Sequence, residues 1–329
     1  MKTILIEGDT IPEVYEKALL ETWEKGERFP TEYDREGDPL SRDCVAVLHI
    51  NHPLQEPRIH RAIPNGIDFL EEYRLELVNG IHDYYMNDLD NPNRWKYTYS
   101  GRMFQYDVPC DECASTPGDI MCPKCGSTGS IKINQIEKCI EMLKKTGHSR
   151  RALASTWKCW TDLGLDDPPC LQILQFRIEQ TTCDKCNGDG VEHFENDDYA
   201  TCKDCIGTGV IPKLNVCGVI RSNDAYKGSF DNLFGVSELQ KYVADRIGVG
   251  VGSLVWVALS YHIYGSYFKE FEGFLNTVKN RTFEERTYTS DFARPFWIES
   301  CDKVLAETGL PTNKRLIVED RKKYLESLL

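Results

Sequence analysis

The sequence has no apolar run approaching the roughly 20 residues needed to cross a bilayer. Its first residues, "MKTILIEGDT", meet an acid and a glycine before a signal-type apolar core develops. Both features predict a soluble, cytoplasmic protein with no membrane partner. Positive charge is also short: 39 Lys and Arg stand against 52 Asp and Glu, a formal net charge of -13. Such a chain repels a phosphate backbone, which argues against sequence-independent nucleic-acid binding unless the basic residues cluster tightly and leaves room for a small anionic ligand held by a few arginines. Low-complexity segments are absent, and nothing repeats except short cysteine knuckles. What remains is 329 residues with 41% hydrophobic content, enough for a sizeable folded core.

Cysteine is the abundant exception. Eight of the fourteen fall in four Cys-x-x-Cys pairs: Cys110 and Cys113, Cys122 and Cys125, Cys183 and Cys186, Cys202 and Cys205. In a reducing compartment these thiols stay free, and the pairing pattern points to metal. Two intervening residues let both sulfurs of a knuckle reach one tetrahedral ion at about 2.3 Å, and two knuckles close a four-cysteine zinc site. A redox dithiol would need only one pair. The expectation is two structural Zn2+ ions per chain. "CDKCNGDG" and "CKDCIGTG" also resemble the zinc module of the DnaJ chaperone family, whose knuckles pair out of order; pairing in sequence order is preferred here. Of the other six cysteines, Cys139, Cys159 and Cys217 suit core packing. Cys170 alone follows two prolines, where the backbone is stiff and its direction fixed.

Helical periodicity marks residues 10–25, 66–79, 132–146, 235–248 and 315–328, and strand-like runs occupy 44–50, 152–157, 170–178, 214–221 and 253–262. Without a regular βαβ rhythm, these elements predict an α+β fold: a mixed, largely antiparallel sheet with packed helices. One domain spans 1–329. Two zinc-knuckle insertions, 108–131 and 181–213, interrupt it, the second lying between strands that otherwise form a hairpin. Residues 183–212 hold seven acids against two lysines, so this finger is not built to grip nucleic acid.

Four blocks stand in a fixed order around Cys170: "SRRALASTW" (149–157), "PPCL" (168–171), "RSNDAYKGSFDN" (221–232) and "SYHIYG" (260–265). Together they resemble the thymidylate synthase and pyrimidine nucleotide (dUMP, dCMP) hydroxymethylase family, with wording closest to its archaeal-type branch. Weaker echoes in "YTYSGRMF" (97–104) and "TEYDREG" (31–37) extend the likeness towards the N-terminus. The resemblance implies the family's fold, a pyrimidine nucleotide monophosphate substrate, 5,10-methylenetetrahydrofolate as one-carbon donor, and a homodimer with shared active sites.

By the same resemblance Cys170 is the nucleophile that adds to C6 of the base. A free thiol with a pKa of about 8.5 is mostly protonated at neutral pH, so a guanidinium beside it would help. Arg221, at the end of the strand expected to pair with that of Cys170, could serve as that cation and as a phosphate clamp. Arg150 and Arg151 are implied to reach the partner subunit's nucleotide phosphate, with Ser222 and a loop arginine, Arg35, completing the site. Glu72 is the expected organiser of the proton-handling water, with Glu71 its rival. Asp224 lies within the family's block. Asn232 would offer a donor and an acceptor to uracil O4 and N3-H. Its neighbour Asp231 would reverse that choice if the register slipped by one, since relatives acting on cytosine carry aspartate there. His262 and Tyr264 are implied to bind the sugar 3'-hydroxyl.

The pattern is also broken in places. Leu171 follows the nucleophile where many synthases have histidine, and Lys158 follows Trp157 where asparagine is usual. "RKKYLESLL" lacks the apolar tail that closes many synthases over folate. A closed, dry site favours hydride transfer to give methyl, and an admitted water favours hydroxymethyl. The leading expectation is methylation of dUMP, with hydroxymethylation of dUMP or dCMP as the alternative. A non-enzymatic zinc-dependent binding role is a remote third, opposed by the intact set around Cys170.

Overall fold

The computed structural model describes residues 1–87, 94–113, 122–194 and 198–329. Residues 114–121 of the first predicted insertion and 195–197 of the second lie outside the described residues. The main sheet follows the order Thr3–Gly8, Ser41–Ile50, Gly250–Ile263, Val210–Ile220, Leu171–Thr182, Leu153–Ser155, with Glu27–Phe29 and Asn223–Asp224 pairing beside it. Two neighbouring pairs along that path are parallel and three antiparallel. The parallel pairs arise where a helix intervenes, because parallel neighbours need a crossover connection. Helix α1 (Ile11–Lys25) links the first two strands, and α5 (Ser229–Ile247) links Val210–Ile220 to Gly250–Ile263. The fold is the expected α+β arrangement.

Burial alternates along the strands. Ala46, Leu48, Leu174, Val216, Leu254 and Trp256 are buried on one face, where Val14 and Ala18 of α1 and Leu233 and Leu239 of α5 complete the core. The remaining helices are α2 (Ile67–Asn79), α3 (Tyr99–Phe104), α4 (Gln135–Lys145), α6 (Phe268–Asn280), α7 (Ser290–Leu305) and α8 (Thr312–Glu326). None of the described helices is long and apolar enough to cross a membrane.

Several boundaries differ from the sequence expectations, each for a local reason. The helix expected from 132 starts at Gln135, because Asn134 caps it by accepting from the Glu137 N–H at 2.9 Å and Ser130–Ile133 is a strand. Helix α5 starts at Ser229, six residues before its expected start; its N-cap is Gly228, which carries no side-chain signal. Helices α3, α6 and α7 and the edge strand Thr3–Gly8 are absent from the sequence expectations; α7 holds an internal proline, Pro295, that reads as a breaker. Cys139 is buried as expected, but Cys159 is exposed rather than packed in the core.

The hairpin expectation holds: Leu171–Thr182 pairs antiparallel with Val210–Ile220, and the second knuckle pair sits at its tip. Two register shifts then shape the opposite end. One, between Val219 and Ile220, brings Ile220 opposite Leu171; the other, between Ala258 and Tyr261, precedes His262. Bulges of this kind bend a strand and re-aim its side chains.

Candidate active site and zinc centres

Cys170 stands at the head of its strand, half-buried. The Arg221 N–H donates to the Cys170 carbonyl at 2.8 Å, which locks the two strand ends together. The Arg221 guanidinium donates from Nε to the Pro169 carbonyl at 3.1 Å and from Nη2 to the Pro168 carbonyl at 2.7 Å. Two of its five donors are thereby used to stiffen the "PPC" turn, and three remain for an anion. Burial pushes the Cys170 thiol up; the Arg221 charge pulls it back, and Asp167 raises it further.

Tyrosines surround this point. The Leu171 N–H donates to the Tyr99 hydroxyl at 3.2 Å. Tyr33, Tyr97 and Tyr264 all lie within electrostatic reach of the thiol. Tyr33 and Tyr264 meet edge to face with centroids 6.0 Å apart, so the 31–37 loop leans over the site; Arg35 stands exposed two residues beyond Tyr33. Among the described residues, Tyr33, Tyr97, Tyr99 and Asp167 are neighbours of the nucleophile that the motifs do not single out. "YTYSGRMF" is the signal that contains two of them.

On the far side, Asn223–Asp224 pairs with Tyr261 and His262. Asp224 accepts from the N–H groups of Tyr226 and Lys227 at 3.0 and 2.9 Å, yet burial raises its carboxyl to about 6. His262 is buried, and burial lowers it to about 4, so its ring is neutral at pH 7. Its Nδ1 meets Ser260 Oγ at 3.0 Å, and Ser260 donates to Asp43 at 2.8 Å. Its Nε2 is buried with no partner among the described residues, a polar atom that a ligand hydroxyl would satisfy. Tyr264 packs edge to face on that ring at 4.6 Å. Ser222 follows Arg221, half-buried.

Asn232, on the first turn of α5, accepts from the Tyr73 hydroxyl at 2.6 Å. Asp231 turns to Asn65, which donates to it at 2.5 Å, and burial raises its carboxyl to about 7. Tyr73 lines a cavity of about 400 Å³ that adjoins the nucleophile through Tyr97, Tyr99 and Asp167 and is also walled by Glu76 and His82. Glu72 lies one turn before Glu76, its carboxyl raised by burial and by the Glu76 charge. His82 is clamped between Glu76 at 2.6 Å and Glu307 at 3.0 Å; burial opposes its charge, but the two carboxylates outweigh it and hold it above its ordinary value. Glu71 faces the other way. It is fully buried in a bidentate pair with Arg321 of α8, both contacts 2.8 Å.

Arg150 and Arg151 are exposed beside the edge strand Leu153–Ser155 and make no ion pair among the described residues. They do not meet Cys170 within the chain's own described contacts.

The eight knuckle cysteines assemble in sequence order. Cys110, Cys113, Cys122 and Cys125 form one cluster and Cys183, Cys186, Cys202 and Cys205 the other. Sulfur pairs lie 3.7 and 3.6 Å apart in the first and 3.8 and 3.6 Å in the second. A tetrahedral ion with bonds of about 2.3 Å sets its sulfurs about 3.8 Å apart, so both sets fit zinc. In the second cluster, Gly190 and Gly209 donate to Cys186 and Cys205 Sγ, each at 3.3 Å. A Cβ at either glycine would stand 2.4 or 2.1 Å from a facing carbonyl oxygen, which explains the C-x-x-C-x-G-x-G form.

The family model described as "Thymidylate synthase" matches residues 81–285. A protein of Methanocaldococcus jannaschii named "Putative thymidylate synthase" is 26% identical over 266 residues, covering 79% of this chain and 90% of its own. A protein of the same name from Methanococcoides burtonii is 24% identical, covering 84% and 96%.

Proposed function

The chain belongs to the thymidylate synthase family and is a transferase, and from that premise we propose that it methylates C5 of dUMP by way of Cys170. The observation that carries this reading is the Cys170 and Arg221 pair, held together by the backbone bond and by the guanidinium's grip on the two prolyl carbonyls. Thiolate addition at C6 moves an electron pair to C5 and O4, making C5 a nucleophile. The donor, 5,10-methylenetetrahydrofolate, supplies the carbon and the hydride when bound.

The protein's own groups then have separate tasks. Arg221's free donors and Ser222 hold the phosphate in the same subunit, and Arg35 reaches it from the loop that carries Tyr33. His262 Nε2 and Tyr264 bind the 3'-hydroxyl; a neutral imidazole suits that role. Asn232 reads the uracil edge. Its Oδ1, already accepting from Tyr73, keeps a second lone pair for N3-H while Nδ2 donates to O4. Glu72, with Glu76 beside it on the cavity wall, organises the water that carries the C5 proton, and Asp224 supplies a carboxyl group near the 3'-hydroxyl pair. Residues 108–131 and 181–213 are zinc-closed insertions in one catalytic domain, 1–329.

The shared-site homodimer is supported by the outer face of the sheet. Val47, Val257, Val219 and Ile173 form a cross-strand row there that stays only half-buried, near the exposed Arg150 and Arg151. A second copy on that face would bring these arginines to its phosphate. A second reading, 5-hydroxymethylation, is favoured by Glu76 and His82 on the cavity wall, with Glu72 grouped beside them, which offer places for water near the reacting carbon.

Incubation of the zinc-loaded protein with 5-fluoro-dUMP and methylenetetrahydrofolate should leave an adduct on Cys170 that is absent in Cys170→Ser. Mass spectrometry of the dUMP and dCMP products should find a methyl group on uracil. An adduct elsewhere overturns the nucleophile, and a hydroxymethyl product transfers the assignment to the second reading.

A further inference from the structure

Three polar side chains meet beside Tyr264. Asp43, on Ser41–Ile50, is the register partner of His262 on Gly250–Ile263, and Ser260 lies two residues before His262 on the same strand. Opposed residues of neighbouring strands, and residues two apart along one strand, share a face of the sheet. Ser260 Oγ thus lies 2.8 Å from Asp43 Oδ2 and 3.0 Å from His262 Nδ1. Asp43 belongs to none of the sequence motifs around Cys170.

The protons on this path can be counted. Burial lowers His262 to about 4, so at pH 7 its ring carries one proton, and one ring nitrogen donates while the other accepts. Ser260 also has one proton to give. An ionised carboxylate only accepts, so Asp43 takes the Ser260 proton and the Ser260 oxygen is left to accept from His262 Nδ1. Two further features favour that direction. Burial raises the Asp43 carboxyl, but Ser260 and the N–H groups of Cys44 and Tyr261 hold it back, and the Ser260 main chain offers the His262 ring a second acceptor. With the ring proton on Nδ1, Nε2 is a bare acceptor. It is buried with no partner among the described residues, and a donor on a ligand would satisfy it.

We propose that Asp43 and Ser260 are positioning residues that hold His262 in its Nδ1–H form, and that the site thereby demands a hydrogen-bond donor, the free 3'-hydroxyl of a mononucleotide. The demand on the ligand rests on the function proposed above; the state of the ring does not. A 3'-phosphodiester has no proton on that oxygen, so a nucleotide within a strand is refused where a free one is held.

The ring is tested without any ligand. Two-bond 1H–15N correlation spectra of the zinc-loaded protein with 15N-labelled histidine, the His262 signals identified by their loss in His262→Gln, should show Nδ1 protonated and Nε2 bare at pH 7. Asp43→Asn keeps the shape and reverses the path: its amide oxygen stays with the two N–H groups, its NH2 donates to Ser260, and Ser260 turns its proton to Nδ1. That variant should show Nε2–H. Ser260→Thr, which keeps the hydroxyl, should show the wild-type pattern. A wild type with Nε2–H, or an Asp43→Asn spectrum identical to wild type, overturns the proposal.

Calorimetric titration then compares dUMP with 3'-fluoro-2',3'-dideoxyuridine 5'-monophosphate, whose fluorine replaces the hydroxyl without a proton. Wild type and Ser260→Thr should bind dUMP at least about tenfold more tightly than the fluoro nucleotide, the effect of one buried hydrogen bond. Asp43→Asn should bring the two within about threefold and bind the fluoro nucleotide more tightly than wild type does, a gain that mere damage to the fold does not produce. An Nδ1–H ring with equal affinities, or a ratio unmoved by Asp43→Asn, overturns the demand on the ligand. A chain that shows the tautomer and the preference but transfers no carbon keeps this assignment and refutes the proposed function.

Discussion

Cys170 shows how a single group is set by competing neighbours. Burial and Asp167 hold its thiol up, and Arg221 opposes them. The free protein therefore keeps its nucleophile largely protonated at neutral pH, and thiolate is favoured as Arg221 gains on the other two. Removing the Asp167 charge should shift the pH at which Cys170 becomes reactive downward, and Arg221→Ala should shift it upward. The thiolate fraction at pH 7 should rise in Asp167→Asn and fall in Arg221→Ala. Iodoacetamide labelling against pH, followed on the Cys170 peptide by mass spectrometry, measures this directly. An unchanged profile in Asp167→Asn would mean that burial alone sets the thiol.

At the scale of elements, the two four-cysteine hairpins have unequal stations. The second sits at the tip of the Leu171–Thr182 strand, twelve residues from the nucleophile, which at about 3.3 Å per residue is roughly 40 Å away. The first is rooted at Tyr106–Pro109 and Ser130–Ile133, where Asp107 holds Lys158 and Tyr106 donates to the Trp157 carbonyl at 2.7 Å. Cys110→Ser should therefore lose one zinc and lower kcat/KM by tenfold or more. Cys202→Ser should lose the other with activity within about threefold of wild type, because metal-site folding energy is local to its own loop. Zinc content by elemental analysis together with steady-state kinetics gives the comparison, and equal losses of activity would contradict the asymmetry.

For the whole molecule the decisive matter is assembly. A site with Arg221, Ser222 and Arg35 in one subunit and Arg150 and Arg151 supplied by another is incomplete in a single chain. Arg151→Ala and Cys170→Ser chains, each inactive alone, should regain activity when mixed, approaching about one quarter of wild type if subunits exchange at random and each hybrid dimer forms one good site. Hybrid dimers without activity would return both arginines to their own subunit. The acidic composition bears on the same scale: with -13 overall, an anion is attracted where basic groups are gathered.

Chemistry encoded in short spacing was legible in the chain itself. The four Cys-x-x-Cys pairs and the ordered blocks around the "PPC" turn point to two four-cysteine clusters and to the thymidylate synthase family, because ligand geometry and backbone stiffness act over a few residues. The hairpin that carries Cys170 and Arg221 was also readable, since alternating apolar residues specify both strands. Orientation between elements was not. Glu71 and Glu72 are adjacent acids on one helix, and only the packing of α8 turns Glu71 to Arg321 and leaves Glu72 beside Glu76 and His82. Tyr33, Tyr97, Tyr99 and Tyr264 come together from three distant segments. Such groupings depend on which faces helices and loops bury against the sheet, a matter of long-range packing that no local spacing records.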